Sequence, residues 1–427
     1  MLATVLTVLS LLLSYGLLLL GNGLFATLLG VRTQIEGFSA VSVGLIVTGY
    51  FTGLLVGAFR APRVVARVGH IRAFAAFASV MSVTALLPAL IIHPALWAAS
   101  RMASGFCMAG MILVTESWLN ERATNANRGQ VLSLYMITNY FAAGCGQLLL
   151  PISDPSRFHL FSIASIIFSL SLVPVLLTRA SAPIPRPPDR VRFDELWRTS
   201  PLGFMGALGS GLVNSVFHGL GAVFAHGIGL SIAQTSSFMA TAIFGGLALQ
   251  WPIGRLSDRI DRRWILVGVA AATALACVGV VAAAGRYLPG LYLFAALYGG
   301  LSFTIYSVSA AHTNDFSDPA RRVETASALL IAYGIGATLG PLIASAVMGG
   351  VGPRGLFMYS AMVNVLLALF GVYRMRRRAG KAKDERTGII NLPGGQFTAG
   401  RLYASMRNQM DRDLARMTGA VRPKDWE

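Results

Sequence analysis

The stretch GRLSDRIDRR, residues 254–263, places six charged side chains within ten positions of a chain in which Asp, Glu, Lys and Arg make up only 12% of the residues. Hydrophobic residues make up 55% of the 427 positions, and the mean hydropathy is +0.63. This composition lies outside the usual range of soluble proteins and is typical of multi-pass membrane proteins. The charged stretch is therefore expected in a loop between two membrane-spanning helices.

Apolar segments long enough to cross a bilayer, about 20 residues each, recur along the whole chain. The first of them lacks the basic start and the cleavage site of a signal peptide, so we interpret it as a retained helix. The sequence predicts an all-α integral membrane protein with twelve transmembrane helices. The predicted spans are 4–29, 40–60, 73–92, 95–116, 130–150, 159–177, 202–226, 232–253, 264–284, 290–311, 325–348 and 355–373.

The net charge of +17 follows this topology. With the N-terminus inside, the cytoplasmic loops hold 17 Lys and Arg residues and the tail from Arg374 holds 13. The opposite side holds Arg32, Arg157, Arg286 and Arg354. This is the positive-inside distribution, so it predicts orientation in the membrane and not nucleic-acid binding. We expect the cytoplasmic (inner) membrane, with both termini in the cytoplasm.

Catalytic and metal-binding patterns are weak in this sequence. The three cysteines, Cys107, Cys145 and Cys277, fall inside predicted spans without metal-ligand spacing and predict neither a disulfide nor a metal site. The chain has no P-loop motif, so an uphill transport step would need an ion or solute gradient. An integral membrane enzyme would need clustered acids, histidines or metal ligands on facing helices. We therefore expect no enzyme activity and no cofactor.

An internal repeat relates the two halves of the chain. The polar, proline-rich and basic segment 178–200 is predicted to be a cytoplasmic linker between six helices at 1–177 and six at 201–373. GRLSDRIDRR lies 192 residues after PRVVARVGHI (62–71), with Arg63 matching Arg255. Near the ends of the fourth and tenth spans the offset becomes 194, where NERATNANR (120–128) matches NDFSDPARR (314–322). Such a register predicts a duplicated six-helix unit with parallel halves.

These motifs resemble the major facilitator superfamily. GRLSDRIDRR is similar to its signature loop, G-x-L-x-D-R-x-G-R-R, with Asp261 in place of the glycine, whereas the first-half copy has Pro62 for the first glycine and Ala66 for the aspartate. The resemblance implies two six-helix bundles around a central site and the function of a secondary transporter. Further segments resemble its bacterial YcaD-like branch: YFTGLLVG (50–57), TESWLNE (115–121), RGQVLSLYM (128–136), QWPIGRLSDR (250–259) and YGIGATLGP (333–341).

Arg101 is the foremost candidate for substrate binding, because a charged side chain within a span is costly unless it faces water or a partner. Its R-x-x-x-G pattern resembles a fourth-helix motif whose arginine faces the central cavity, although a structural bond to backbone carbonyls is the alternative. Asn22 and Asn214 occupy equivalent places in the first helix of each half, with cavity contact or helix packing as their two roles. His218 shares a helix face with Asn214 and is a candidate for proton coupling.

Further polar or amphipathic residues on helices that can line the cavity complete the candidate substrate set, with packing as the alternative role of each. They are Gln147, Tyr140, Gln250, Tyr306 and Tyr333.

Gating or coupling is predicted for charged residues at the cytoplasmic ends. Glu116 is the one acidic residue inside a predicted span, and at the negative end of its helix dipole it needs a nearby cation. The resemblance implies that Arg67 of the neighbouring loop is that cation; a proton site is the alternative. The resemblance implies that Asp258, with Arg259 beside it, approaches the positively polarised N-terminus of the fifth helix, near Arg128, and latches the bundles when the inner gate is closed. Ala66 stands at the matching place of the first half, so the latch is expected to be asymmetric.

The predicted function is a secondary active transporter that moves a small solute by alternating access. A transporter-like receptor or scaffold and an integral membrane enzyme are the alternatives. Arg101, without a deep carboxylate, favours an anionic, zwitterionic or amphipathic substrate; a coupling proton, by symport or antiport, stays open. The partners expected are the substrate and the lipid bilayer, and the chain is expected to be a monomer. The basic tail 374–427 has apolar residues at helical spacing and predicts an amphipathic surface helix.

Overall fold

The structure, a computed structural model, describes residues 2–123, 128–177, 193–318 and 321–377. For residues 2–7, 122, 128, 129, 193–195, 322 and 323 only the backbone is described. Within these ranges the regular elements are helices, and there is no strand. The predicted amphipathic helix of the tail lies outside the described residues.

The first half contains seven helices, and α6 and α7 together form its sixth span. They are α1 (Leu2–Ile35), α2 (Ala40–Val68), α3 (His70–Leu90), α4 (Pro94–Arg122), α5 (Arg128–Leu148), α6 (His159–Leu170) and α7 (Leu172–Leu176).

A short linker helix, α8 (Phe193–Thr199), precedes the second half, in which α12 and α13 together form the tenth span. The helices of this half are α9 (Pro201–Gly227), α10 (Ile232–Arg259), α11 (Arg262–Ala283), α12 (Leu288–Ser302), α13 (Ile305–Phe316), α14 (Arg322–Val351) and α15 (Gly355–Arg377).

Within the described residues, eleven of the twelve spans are long and apolar enough to cross a membrane. The remaining one is α5, which is amphipathic because Asn139, Tyr140 and Gln147 turn toward the interior of the protein. A span need not be apolar on the face that it turns toward other helices. The structure therefore agrees with an all-α, twelve-helix membrane fold.

The helices extend beyond the predicted spans at their charged ends. In the first half, α2 and α3 are separated only by Gly69, whose φ of 84° suits a residue without a Cβ. In the second half the equivalent position is Asp261, whose carboxylate accepts a hydrogen bond from the Arg263 backbone N–H at 3.0 Å and so caps α11. The same sharp connection is thus made by two different residues, in the first half by the backbone freedom of Gly69 and in the second half by the capping side chain of Asp261.

The tenth span, predicted at 290–311, runs from Leu288 to Phe316 and consists of two helices. The tenth span breaks at Phe303 and Thr304, where the Thr304 N–H donates to the Leu301 carbonyl at 3.1 Å and tightens the turn. Hydropathy does not reveal such a break, because the residues on both sides are apolar or small. The break faces the centre of the molecule, where the ring of Phe303 contacts other aromatic side chains.

Glycine contacts show that the two halves pack alike. In each half a glycine of the second span lies against a backbone carbonyl of the fourth span, and a glycine of the fourth lies against a carbonyl of the second. A side chain at any of the four would overlap that neighbouring helix, so small residues set the distance between the helices. The contacts are Gly53 with Met102 and Gly105 with Tyr50, then Gly245 with Ala296 and Gly299 with Ala242.

The two bundles meet along a contact region that we call the seam, formed by α1 with α9, α2 with α14, and α5 with α10. Thr48 Oγ1 donates to the Thr338 carbonyl at 3.2 Å, and a Cβ at Gly349 would lie 3.5 Å from that of Ala40. Ser236 Oγ donates to the Gln147 carbonyl at 2.8 Å. These contacts lie toward the helix ends that border the loops at 36–39 and 228–231.

Candidate functional site

A cavity lies between the bundles, beside the seam. Its mixture of apolar and polar walls is typical of small-molecule sites. None of the described residues that line it is Asp or Glu. The polar and aromatic members of the lining are Asn22, Tyr50, Phe51, Arg101, Asn139, Tyr140, Gln147 and His218.

Arg101 supplies the positive charge of the cavity. Its side chain is only 6% exposed, and the guanidinium carbon lies 4.0 Å from the ring centroid of Tyr50 and 5.1 Å from that of Phe25. These rings stabilise the cation through their π faces. The Nη1 atom has no hydrogen-bond partner among the described residues. A buried N–H donor without an acceptor is unfavourable, so this atom is suited to bind an anionic oxygen.

Tyr50 is held over Arg101 by the close approach of α2 and α4. Gly105 lies one turn after Arg101 and allows the Tyr50 carbonyl to contact α4. The Tyr50 hydroxyl donates a hydrogen bond to Asn22 Oδ1 at 3.3 Å. Asn22, Tyr50 and Arg101 therefore form one connected polar wall. Tyr50 was missed by sequence reasoning, although it begins the YFTGLLVG motif, because a tyrosine in a span is equally compatible with packing.

Gln147 and Tyr140 join the cavity to the seam. The Gln147 side chain accepts a hydrogen bond from Thr27. Tyr140 donates to Gln250 Oε1 at 3.2 Å, and Gln250 donates to Ser307 at 2.9 Å. Gln250 itself lies outside the cavity lining, but it ties the cavity wall of one bundle to α13 of the other.

His218 lines the cavity and contacts the break in the tenth span. Its ring stacks on Phe303 with centroids 5.2 Å apart and an interplanar angle of 14°. The ring of Tyr140 is nearly parallel to Phe303 at 6.4 Å. The break is therefore held between aromatic rings from both bundles.

The structure places the other substrate candidates away from the cavity lining. Asn214, the equivalent of Asn22, donates to Ser210 at 3.0 Å and accepts from Ser302 at 2.7 Å, which ties α9 to the end of α12. Tyr306 and Tyr333 pack edge to face with centroids 5.4 Å apart. The repeat thus gives equivalent positions, but only the first-half asparagine is among the lining residues.

Glu116 is buried at 4% exposure and accepts a hydrogen bond from the Tyr135 hydroxyl at 2.7 Å. Arg67, expected beside it, is exposed and makes no ion pair with any residue that the structure describes. The expected pair is therefore not formed in this structure. The physical reason is that Glu116 turns inward toward α5, whereas Arg67 lies in the last turn of α2 and points to the surface.

Asp258 pairs with Arg262 on the next helix, with 3.1 Å between Oδ1 and Nη2. Arg262 is 1% exposed and also pairs with Asp315 at 2.6 Å. Arg128 begins α5, but its side chain is outside the described part, so the expected approach of Asp258 to it stays a prediction. Arg259 is exposed. Sequence reasoning missed Asp315, because the tenth span was predicted to end at 311.

Comparisons with known proteins agree with this geometry. The family model described as Major Facilitator Superfamily matches residues 11–231 and 199–393. The MFS-type transporter YcaD of Escherichia coli (strain 536) is 30% identical over 358 residues, which cover 83% of this chain and 92% of YcaD.

Solved structures share the fold at low sequence identity. A variant of the nucleoside transporter NupG superposes with a TM-score of 0.73 at 15% identity, over 86% of this chain and 99% of that chain. A bacterial homologue of the lysosomal transporter Spinster, inward-facing and occupied, gives 0.69 at 16% identity over 89% and 97%. A D-xylose-proton symporter gives 0.67 at 14% identity over 85% and 96%.

Proposed function

The chain belongs to the major facilitator superfamily, and from that premise we propose that it moves a small organic anion across the cytoplasmic membrane by alternating access. It is a multi-pass membrane protein of a transporter family, similar along most of its length to an MFS-type transporter. The cavity between two similar bundles supports a carrier with a central site. The likeness to the nucleoside transporter, the Spinster homologue and the xylose symporter, at 14–16% identity, concerns the fold and does not indicate the substrate.

The observation that carries the substrate class is Arg101. It brings a full positive charge to a cavity whose described lining has no carboxylate, and its Nη1 has no acceptor there. A carboxylate of the substrate would supply that acceptor and offset the charge. An organic cation would meet repulsion with no counter-charge. The amides of Asn22, Asn139 and Gln147 and the ring of Tyr140 suit a solute that is also polar or amphipathic.

The seam supports an inward-open arrangement. By the positive-inside distribution, the loops at 36–39 and 228–231 face away from the cytoplasm. The bundles contact each other toward that side. In the alternate state the seam would open and Asp258 would reach the start of α5, which is the proposed inner latch. Both termini are then cytoplasmic.

A ligand screen on the purified, detergent-solubilised protein tests the substrate class. Benzoate and succinate are compared with tetraethylammonium and choline by thermal unfolding. We expect the unfolding temperature to rise by about 2 °C or more with at least one carboxylate, because a ligand of the folded state stabilises it. Arg101→Gln should abolish this rise, whereas Arg286→Gln, at an exposed arginine, should retain it. Stabilisation by the cations with indifference to carboxylates would contradict the proposal.

A further inference from the structure

A chain of hydrogen bonds crosses the first bundle from the cavity to Glu116. Asn139 Nδ2 donates to the Tyr15 hydroxyl at 2.5 Å, and Tyr15 donates to the Tyr135 hydroxyl at 3.1 Å. Tyr135 donates to Glu116 Oε1 at 2.7 Å. The two tyrosine rings are stacked, with centroids 4.7 Å apart. All four side chains are at most 4% exposed.

The ends of this chain have different surroundings. Asn139 lines the cavity, whereas Glu116 is not among the lining residues. Glu116 lies 15 positions after Arg101 on α4, about 22 Å along the helix axis. The hydrogen-bond chain is thus a physical connection between the cavity and a carboxyl group near the far end of α4, the helix that also holds Arg101.

The direction of the chain is set by its first donor. The amide nitrogen of Asn139 can only donate, so the Tyr15 oxygen accepts. The Tyr15 O–H then donates to the Tyr135 oxygen. The last O–H donates to Glu116, which suits the ionised carboxylate. Each member has its hydrogen-bonding role fixed by its neighbour.

We propose that Glu116 is a proton-binding site and that this chain transmits its charge state to the cavity wall at Asn139. A hydronium ion of the aqueous phase transfers a proton to a carboxylate oxygen of Glu116: one O–H bond of the hydronium breaks, a new O–H bond forms on Glu116, and water is left. The neutral acid then donates to Tyr135, which turns its O–H toward Tyr15. The Tyr15 O–H in turn needs an acceptor, which the Asn139 carbonyl supplies when the amide turns over.

The consequence rests on the proposed transport function. If protonation of Glu116 changes which amide atom Asn139 presents, then solute binding and proton binding are linked and each alters the other equally. A proton taken up with an organic anion also removes the charge that the membrane potential would oppose. Glu116 thereby couples the substrate to a proton without entering the cavity lining.

Among the contacts that the structure describes, Glu116 faces the phenol of Tyr135 on α5, and the phenol of Tyr15 on α1 lies one hydrogen bond further. On α2, Arg67 is exposed and makes no ion pair within the described ranges. The side chains of Arg122 and Arg128, at the adjoining ends of α4 and α5, are outside those ranges.

Infrared difference spectroscopy of the full-length protein in lipid tests the proposal. The C=O stretching band of protonated carboxylic acids is followed as the pH is varied, with no solute present. We expect one titrating band to be absent in Glu116→Gln and unchanged in Glu121→Gln, an exposed control on the same helix. A band that persists in Glu116→Gln would overturn the proton site.

Two further variants test the transmission and do not depend on the folding of Glu116→Gln. Tyr135→Phe removes a donor that stabilises the carboxylate, so the midpoint should move up by about one to two pH units. Asn139→Ala should move it in the same direction by less, although Asn139 does not touch Glu116. An unchanged midpoint in Asn139→Ala would overturn the connection, because Tyr135 touches Glu116 directly. Because no solute is used, this outcome is independent of the carboxylate screen at Arg101.

Discussion

At the residue scale, a polar side chain inside a span serves either binding or packing, and its residue type does not always separate the two. Arg101 was predictable because a charge inside a span is costly and therefore informative. Tyr50, Asn139 and Tyr15 were not, because polar aromatic and amide side chains occur in spans for packing as often as for binding. Only their contacts, such as the ring of Tyr50 over the guanidinium at 4.0 Å, separate the two roles.

Gly105 is the residue whose substitution should be most informative about this packing. A Cβ there would overlap the carbonyl of Tyr50, whereas a Cβ at Gly268 of α11 would meet no atom within 4 Å. We expect Gly105→Ala to lower the free energy of unfolding by about 1–3 kcal/mol and to weaken carboxylate stabilisation, because Tyr50 is displaced from Arg101. Gly268→Ala should be neutral or slightly stabilising. Thermal unfolding in detergent measures both, and equal losses would contradict the argument.

At the scale of elements, the repeat predicts which helices of the two halves correspond. It does not predict how the contacts of corresponding residues differ. Asn22 and Asn214 are equivalent, yet one faces the cavity and the other is bonded to Ser302 beside the broken tenth span. The break depends on tertiary contacts of Phe303 with His218 and Tyr140, which local composition does not encode. The equivalent positions were therefore sufficient to predict the architecture. The residues that line the cavity could be identified only from the packing in the structure.

The second-half signature loop gives a prediction about gating. Arg262 forms ion pairs with both Asp258 and Asp315. If Asp258 moves toward α5 in the alternate state, Arg262 keeps its ion pair with Asp315. Asp258→Asn should therefore disfavour the state with the seam open, whereas Ala66→Ser, at the equivalent first-half position, should have little effect. Spin labels at the exposed, equivalent positions Val41 and Ala233 report opening of the seam as a longer distance. Equal distance distributions in the two variants would contradict an asymmetric latch.

At the scale of the whole molecule, the sequence was sufficient for the fold because a repeat with a nearly constant offset fixes both the number of helices and their parallel halves. It was not sufficient for the conformational state. That state depends on which ends of α2 and α14 touch, and in the alternating-access cycle that we propose the same residues separate and rejoin. In the structure α2 and α14 touch at Thr48 and Thr338, and their contact continues from there toward the loops at 36–39 and 228–231.

A disulfide across the seam should lock the molecule in this state. A Cβ at position 349 would lie 3.5 Å from that of Ala40, which is suitable for a disulfide between α2 and α14. In a variant without the three native cysteines, oxidised Ala40→Cys with Gly349→Cys should slow amide hydrogen exchange in the last turns of α1 and α9 several-fold, because opening of the seam is what exposes them.

The matched control is a disulfide inside one bundle, Gly16→Cys with Ala142→Cys, for which the Cβ separation is 3.9 Å. It joins α1 to α5 within one bundle, and these helices move together in the proposed rocking motion, so exchange at the seam should stay as fast as in the reduced protein. Reduction of the Ala40–Gly349 pair should restore exchange. If both disulfides protected the seam equally, its opening would be local fraying of helix ends and not a separation of the bundles.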